Sequence, residues 1–196
     1  MDMAAITDLP TAPASRIIDA TYEAVSRYGL ARFTMEDVAR RAGLSRQSLY
    51  RYFDSKDALI EALVYREEER LLDGIRAVYV ACDKLEEAVL QSVLFCLEGV
   101  RRHPLLDRTL EQEPEALLPY LTTRAAGLIE HARQVFEELL GQRIGESTGL
   151  LRPLSDLMVR TVMSHALTPG AERPEEIAGG VARVVASSLR LGGRQP

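Results

Sequence analysis

Apolar residues recur at three- and four-residue spacing along almost the whole chain. No stretch alternates with the period of two that a half-buried strand requires. Ile17, Ile18, Ala20, Tyr22, Ala24 and Val25 form one stripe, which predicts a first helix over residues 15–28 with Ser15 as its cap and Gly29 as its stop. Met35, Val38, Ala39 and Ala42 stand at i, i+3, i+4 and i+7, one face of a two-turn second helix. A third helix is expected from Ser45 through Phe53, and a fourth from Ser55 to Leu72. Further helices are expected over 84–102, 104–110, from Pro114 and Pro119 to Gly141, over 152–167 and over 174–191. The glycines around 145–149 and the Pro169-Gly170 pair read as loops. The fold class is therefore all-α. A flexible arm (1–14) precedes a three-helix N-terminal head with a helix-turn-helix (15–60), and a helical body follows (61–196).

Residues 34–59 hold the most chemistry. Thr34 with Asp37 three residues on approximates a capping box, with Asp in place of the usual Glu. Gly43 permits a left-handed turn after the second helix, and Ser45 opens the third. Cap, short apolar helix, glycine turn and second cap, in that order, suit a helix-turn-helix that reads DNA. Successive side chains are about 100° apart around a helix, so Leu49 and Phe53 share one side of the third helix and Gln47 and Arg51 the other. Gln pairs with adenine through two hydrogen bonds and Arg does so with guanine. Arg46 lies in the first turn, beside bases or phosphate. Ser48, Tyr50 and Tyr52 offer hydroxyls to phosphate, and Thr34 and Lys56 lie at helix starts on either side of the groove. Any one of these residues alone is equally at home on a solvated face; their order is what is specific.

Charge sharpens this picture. From Val38 to Lys56 there are five basic residues (Arg40, Arg41, Arg46, Arg51, Lys56) and one acid, Asp54. That segment is +4 in a chain of net −5, which leaves −9 for the rest. A basic patch on an acidic body suits a protein that meets phosphate at one place. The two cysteines, Cys82 and Cys96, make neither a disulfide framework nor a zinc motif, and His103, His131 and His165 have no ligand spacing. No cofactor or metal is expected. No nucleophile–base pair, carboxylate pair or phosphate-cradling glycine loop has supporting context, so an enzyme is not expected. The first 14 residues carry no basic residue and only a short apolar run, unlike a signal peptide. No membrane span is expected, and the cytoplasm is the simplest location.

FTMEDVARRAGLS (33–45), SLYRYF (48–53) and SKDALI (55–60) together resemble the DNA-binding head of the TetR family of transcriptional regulators. The likeness covers about residues 17–64; total length and the helical remainder fit more loosely. The resemblance implies that Thr34, Ser45, Tyr50, Tyr52 and Lys56 hold phosphates, and that Arg46, Gln47, Ser48 and Arg51 lie in or beside the reading surface. Many members carry a small residue or Gly where Gln47 stands, which points to a sequence preference of its own. The family also implies a homodimer on a palindromic, double-stranded operator, and repression relieved by a small molecule in the body. Activation instead of repression stays open. So does a small-molecule-binding helical protein that has lost sequence-specific DNA binding.

The body says less. Phe95, Cys96, Tyr120, Arg124 and His131 are candidate pocket residues, although a purely structural role is the favoured reading for each taken singly. Arg124 and His131, seven apart, are expected on one helix face: pointing inward they would hold an acidic ligand, pointing outward they are solvated. Leu154, Met158, Val162, Val181, Val185 and Leu189 are candidates for a dimer interface built from the last two helices, with an ordinary core as the other reading. The operator and the effector are not written in the chain.

Overall fold

The computed structural model describes residues 12–144, 149–168 and 170–192, and all the regular structure among them is helical. The elements are α1 (Ala12–Tyr28), α2 (Met35–Ala42), α3 (Arg46–Tyr50), α4 (Lys56–Ala81) and α5 (Leu85–Arg102), followed by α6 (Pro104–Gln112), α7 (Pro114–Leu121), α8 (Ala126–Ile144), α9 (Leu151–Leu167) and α10 (Pro174–Gly192). No helix among the described residues is long and apolar enough to cross a membrane. The expected arm falls mostly on residues 1–11, outside the described residues, and so do residues 145–148 and 169 of the expected loops.

Contacts group the chain into two units. The first holds residues up to Glu68 together with Pro104–Gly127. In it α1 packs on α2, α2 on α3, and α6 on α7. Ile17, Ala24, Val25, Phe33, Val38, Leu49 and Leu59 form its core, joined by Leu117 and Tyr120 of α7. Each of the valine, leucine, isoleucine and phenylalanine side chains contributes roughly 1.5–3 kcal/mol by leaving water. The head expected from sequence ended at residue 60, with everything later in the body. The grouping differs because α6 and α7 make polar as well as apolar contacts here. Arg108 Nη1 donates to Ser26 O at 2.6 Å, and Glu113 Oε2 accepts from Ala31 N at 2.8 Å.

The second unit holds Glu69–His103 and residues from Leu128 onward. Here α9 and α10 both pack on α5, whose Ala88, Val89, Ser92, Val93, Cys96 and Leu97 are buried. Helix α4 runs nine residues beyond the expected Leu72, to Ala81. Gly74 lies inside it, and the Phe95 ring occupies the space where a side chain at 74 would stand. The Arg143 guanidinium closes its end, donating to Tyr79 O (2.9 Å), Asp83 O (2.8 Å) and Cys82 O.

Two expectations are corrected. The helix expected from 114 to 141 is broken. α7 ends at Leu121, Thr122 leaves helical geometry at φ −133, ψ −88, and Arg124 N returns to Pro119 O at 2.8 Å before α8 begins. Arg124 and His131 therefore do not share one helix face. Leu154, Met158, Val162, Val185 and Leu189 are buried within the single chain, and Val181 is half-buried against the same cluster. These side chains face the chain's own core, because the stripe they form packs on α5. Among the described side chains of α9 and α10, the large apolar ones exposed are Leu157 (48%) and Val184 (50%).

Candidate nucleic-acid interface

The capping box at α2 is complete. Thr34 Oγ1 accepts from Asp37 N at 3.2 Å, and Asp37 Oδ2 accepts from Thr34 N at 3.1 Å and from the Thr34 hydroxyl at 2.7 Å. Hydrogen bonding from Thr34, then from Arg40, holds the Asp37 carboxyl below the usual carboxylate range. At the far end Gly43 takes φ +68, ψ 33, and Leu44 N returns to Ala39 O at 2.9 Å. Arg16, which nothing in the sequence pattern singled out, donates from Nη2 to Ala42 O at 2.8 Å. Its charge sits at the negative end of α2, and it fastens α1 to the turn.

The turn delivers α3. Ser45 Oγ accepts from Ser48 N at 3.1 Å, and the two serine hydroxyls bond at 2.9 Å. α3 is shorter than expected, five residues, with Arg51 as its C-cap. Leu49 is fully buried and anchors it. Arg46, Gln47, Tyr50, Arg51 and Tyr52 are exposed, and Ser48 is half-buried. The Arg46 guanidinium lies 5.6 Å from the Tyr50 ring centroid, an attraction that limits its freedom before any partner arrives.

Lys56 starts α4 beside the Gly29–Thr34 loop. Its Nζ donates to Ala31 O at 2.6 Å and lies 4.5 Å from the Phe33 ring centroid. Burial pulls the ammonium's pKa down, and the carboxylates of Glu113 and Asp57 work in the other direction. An ammonium carries three donors, so one bond does not exhaust it. The arrangement provides cations, hydroxyls and a base-sized amide on one capped, rigid scaffold, with no nucleophile–base pair in it.

The candidate pocket residues do not come together as a set. Tyr120 and Arg124 belong to the first unit, where Tyr120 OH donates to Asp57 Oδ1 at 3.1 Å and Arg124 Nη1 to Asp57 Oδ2 at 2.8 Å. Burial, then the bond to Asp57, pushes the Tyr120 phenol up to about 12. Phe95, Cys96 and His131 belong to the second unit. There Phe95 covers Gly74, Cys96 is buried in the core, and His131 Nε2 lies 2.8 Å from Glu69 Oε1. Sequence reading missed four other polar atoms. Tyr79 OH, Ser92 Oγ and Ser155 Oγ are buried in the second unit with no hydrogen-bond partner in the structure, and so is Arg101 Nε. Single serines within apolar stripes carry no signal that would have separated them from satisfied ones. Among the described residues no group of His, Cys, Asp and Glu could hold a metal ion.

Comparison with known proteins agrees with this geometry. Residues 17–63 match the family described as bacterial regulatory proteins, tetR family, and residues 84–187 match the C-terminal domain described for the bacterial tetracyclin repressor. The chain is 28% identical over 193 residues to the HTH-type transcriptional regulator AlkX of Mycobacterium tuberculosis, covering 93% of this chain and 90% of that one. It is 30% identical over 149 residues to MftR, a regulator from the same organism named for mycofactocin biosynthesis, covering 74% and 70%. A 40% identical stretch of 95 residues aligns with another HTH-type regulator of that organism, spanning 47% of this chain and about half (46%) of the relative. The crystal structure of the TetR family repressor AlkX from Dietzia, implicated in biodegradation of n-alkanes, superposes with a TM-score of 0.77 at 26% identity, covering 93% of this chain and 97% of that one. The relatives and the fold are those of transcriptional regulators, not of enzymes. With a helix-turn-helix head and both family regions in one chain, the protein belongs to the TetR family of bacterial transcriptional regulators.

Proposed function

We propose that the chain is a repressor that binds a palindromic operator as a homodimer and releases it on binding a small molecule. One observation carries the DNA-binding half: a capped, glycine-turned α3 anchored by buried Leu49 leaves Arg46, Gln47, Tyr50 and Arg51 exposed together. In this reading Gln47 and Arg51 read base edges, with Arg46 and Ser48 beside them. Thr34, Ser45, Tyr50, Tyr52 and Lys56 hold phosphate. Leu157 and Val184, apolar and half-exposed, support a second copy packing on α9 and α10. The unpartnered hydroxyls of Tyr79, Ser92 and Ser155, with the unpartnered Arg101 Nε, support an effector in the second unit that carries hydrogen-bonding groups. Arg124 is paired with Asp57 in the other unit and His131 with Glu69, so these two residues do not carry the binding of an acidic effector.

Selection of random duplexes by the purified full chain tests this reading. An inverted repeat is expected, and the triple variant Arg46→Ala, Gln47→Ala, Arg51→Ala is expected to lose it. If no palindrome is enriched, the protein has lost sequence-specific binding; if the triple variant keeps the preference, α3 is not the reader. A promoter-fused reporter then separates repression from activation.

A further inference from the structure

Glu113 stands at the joint of α6 and α7, yet its side chain serves neither helix. Its N–H closes α6 on Thr109 O at 2.8 Å, its carbonyl accepts from Ala116 N at 3.0 Å, and Pro114 opens α7 where a missing N–H costs nothing. The backbone is thus held from both sides. The carboxylate, 16% exposed, reaches 82 residues back along the chain to the loop before α2. Oε2 accepts from Ala31 N at 2.8 Å, and Oε1 lies 4.0 Å from Arg32 Nε. Gly29, at φ +87, leaves the space the carboxylate fills; a Cβ there would collide with it. The carbonyl of the same Ala31 accepts Lys56 Nζ at 2.6 Å. Ala31 is therefore gripped on its N–H by an anion and on its C=O by a cation, and Thr34 follows three residues later as the cap of α2.

An acid beside a surface that must meet phosphate weakens binding by charge alone. Its placement makes sense if geometry outweighs that repulsion. We infer that Glu113 is a positioning residue for DNA binding, holding Ala31 so that the Lys56 ammonium and the Thr34 cap are set where the phosphate backbone arrives. This rests on the operator-binding reading above.

Anisotropy titrations of the full chain, with the selected duplex and an unrelated duplex across a salt series, test it. Glu113→Ala is expected to weaken both duplexes alike by roughly tenfold and to lower the salt slope by about one, the loss of one phosphate contact. Glu113→Gln keeps an acceptor for Ala31 N and sheds the charge, so it should bind as tightly as the wild type or more tightly. Lys56→Ala should lose about as much as Glu113→Ala, and the double variant clearly less than the two losses combined. Circular dichroism melts fix the folded fraction, and the Gln variant supplies the comparison if the Ala variant folds poorly. Tighter binding by both Glu113 variants would make Glu113 a mere neighbouring acid and overturn the inference. Additive losses with Lys56→Ala would overturn it too, since Glu113 would then act independently of that residue. A wild type that prefers no sequence would overturn the operator reading itself, and this inference with it.

Discussion

Two glycines sit at positive φ in the head, and the structure separates what each does. Gly43 takes φ +68 at the end of α2, and Gly29 takes φ +87 at the end of α1. An L-residue in this region costs roughly 1–2 kcal/mol. A Cβ on Gly43 would meet only Arg16 Nη2, at 3.8 Å, an ordinary contact. Strain is then the whole cost, and Gly43→Ala should destabilise by about 1–2 kcal/mol. A Cβ on Gly29 bears the same strain and also displaces the Glu113 carboxylate from Ala31 N. Losing a hydrogen bond to a charged group adds about 1.5–3 kcal/mol, so Gly29→Ala should cost about 2.5–5 kcal/mol. Urea unfolding followed by far-ultraviolet circular dichroism measures both, with an unchanged slope showing that only stability moved. In a Glu113→Ala background the Gly29 substitution should fall to the cost of Gly43→Ala, because the group it displaces is gone. If Gly29→Ala proves no worse than Gly43→Ala, or if its cost survives loss of the Glu113 side chain, the collision reasoning is wrong.

Gln47→Ala should relax preference at one operator base, at a cost of about 1–3 kcal/mol for the cognate site; repeating the duplex selection with the variant reads this directly. Ser155→Ala removes a buried hydroxyl with no partner, so it should stabilise the unliganded protein by about 1 kcal/mol and raise Tm by roughly 2–4 °C. A lower Tm would show that the hydroxyl is satisfied after all. Glu130 is held down to about 2, first by hydrogen bonding from Arg133. A depressed carboxyl stabilises above its unfolded pKa, so this contribution is present above pH 4.5 and fades as pH falls toward about 2. Glu130→Gln should therefore flatten the acid limb of a Tm–pH curve over that window and lower stability above it. An acid limb of unchanged steepness would count against the pairing.

What the sequence discloses and what it hides follow from the range of the interactions involved. Thr34 with Asp37 and Ser45 with Ser48 bond three residues apart, and the Gly43 turn closes on the last turn of α2, so the order of residue types was enough to place α2, its turn and α3. Gln47 and Arg51 came out exposed for the same reason: burying Leu49 fixes the opposite side. The apolar stripes of α9 and α10 were equally visible, but a stripe records only that a face leaves water, not what covers it. Met158 and Val185 meet their own chain's core, whereas Leu157 and Val184 beside them stay exposed. The break at 122–125 and the union of α6–α7 with the head were hidden because the contacts behind them span large sequence separations. Arg108 reaches Ser26, Arg124 reaches Asp57, and Glu113 reaches Ala31, and none of these pairs leaves a periodic trace. The head is therefore larger than its motif. The helix-turn-helix carries the groups that would touch DNA, while the groups that hold its entry loop and the start of α4 come from residues 104–127, some fifty or more positions downstream. Substitutions in that distant segment should change DNA affinity without changing sequence preference, since they act on Ala31, Lys56 and Asp57 and leave Gln47 and Arg51 as they were.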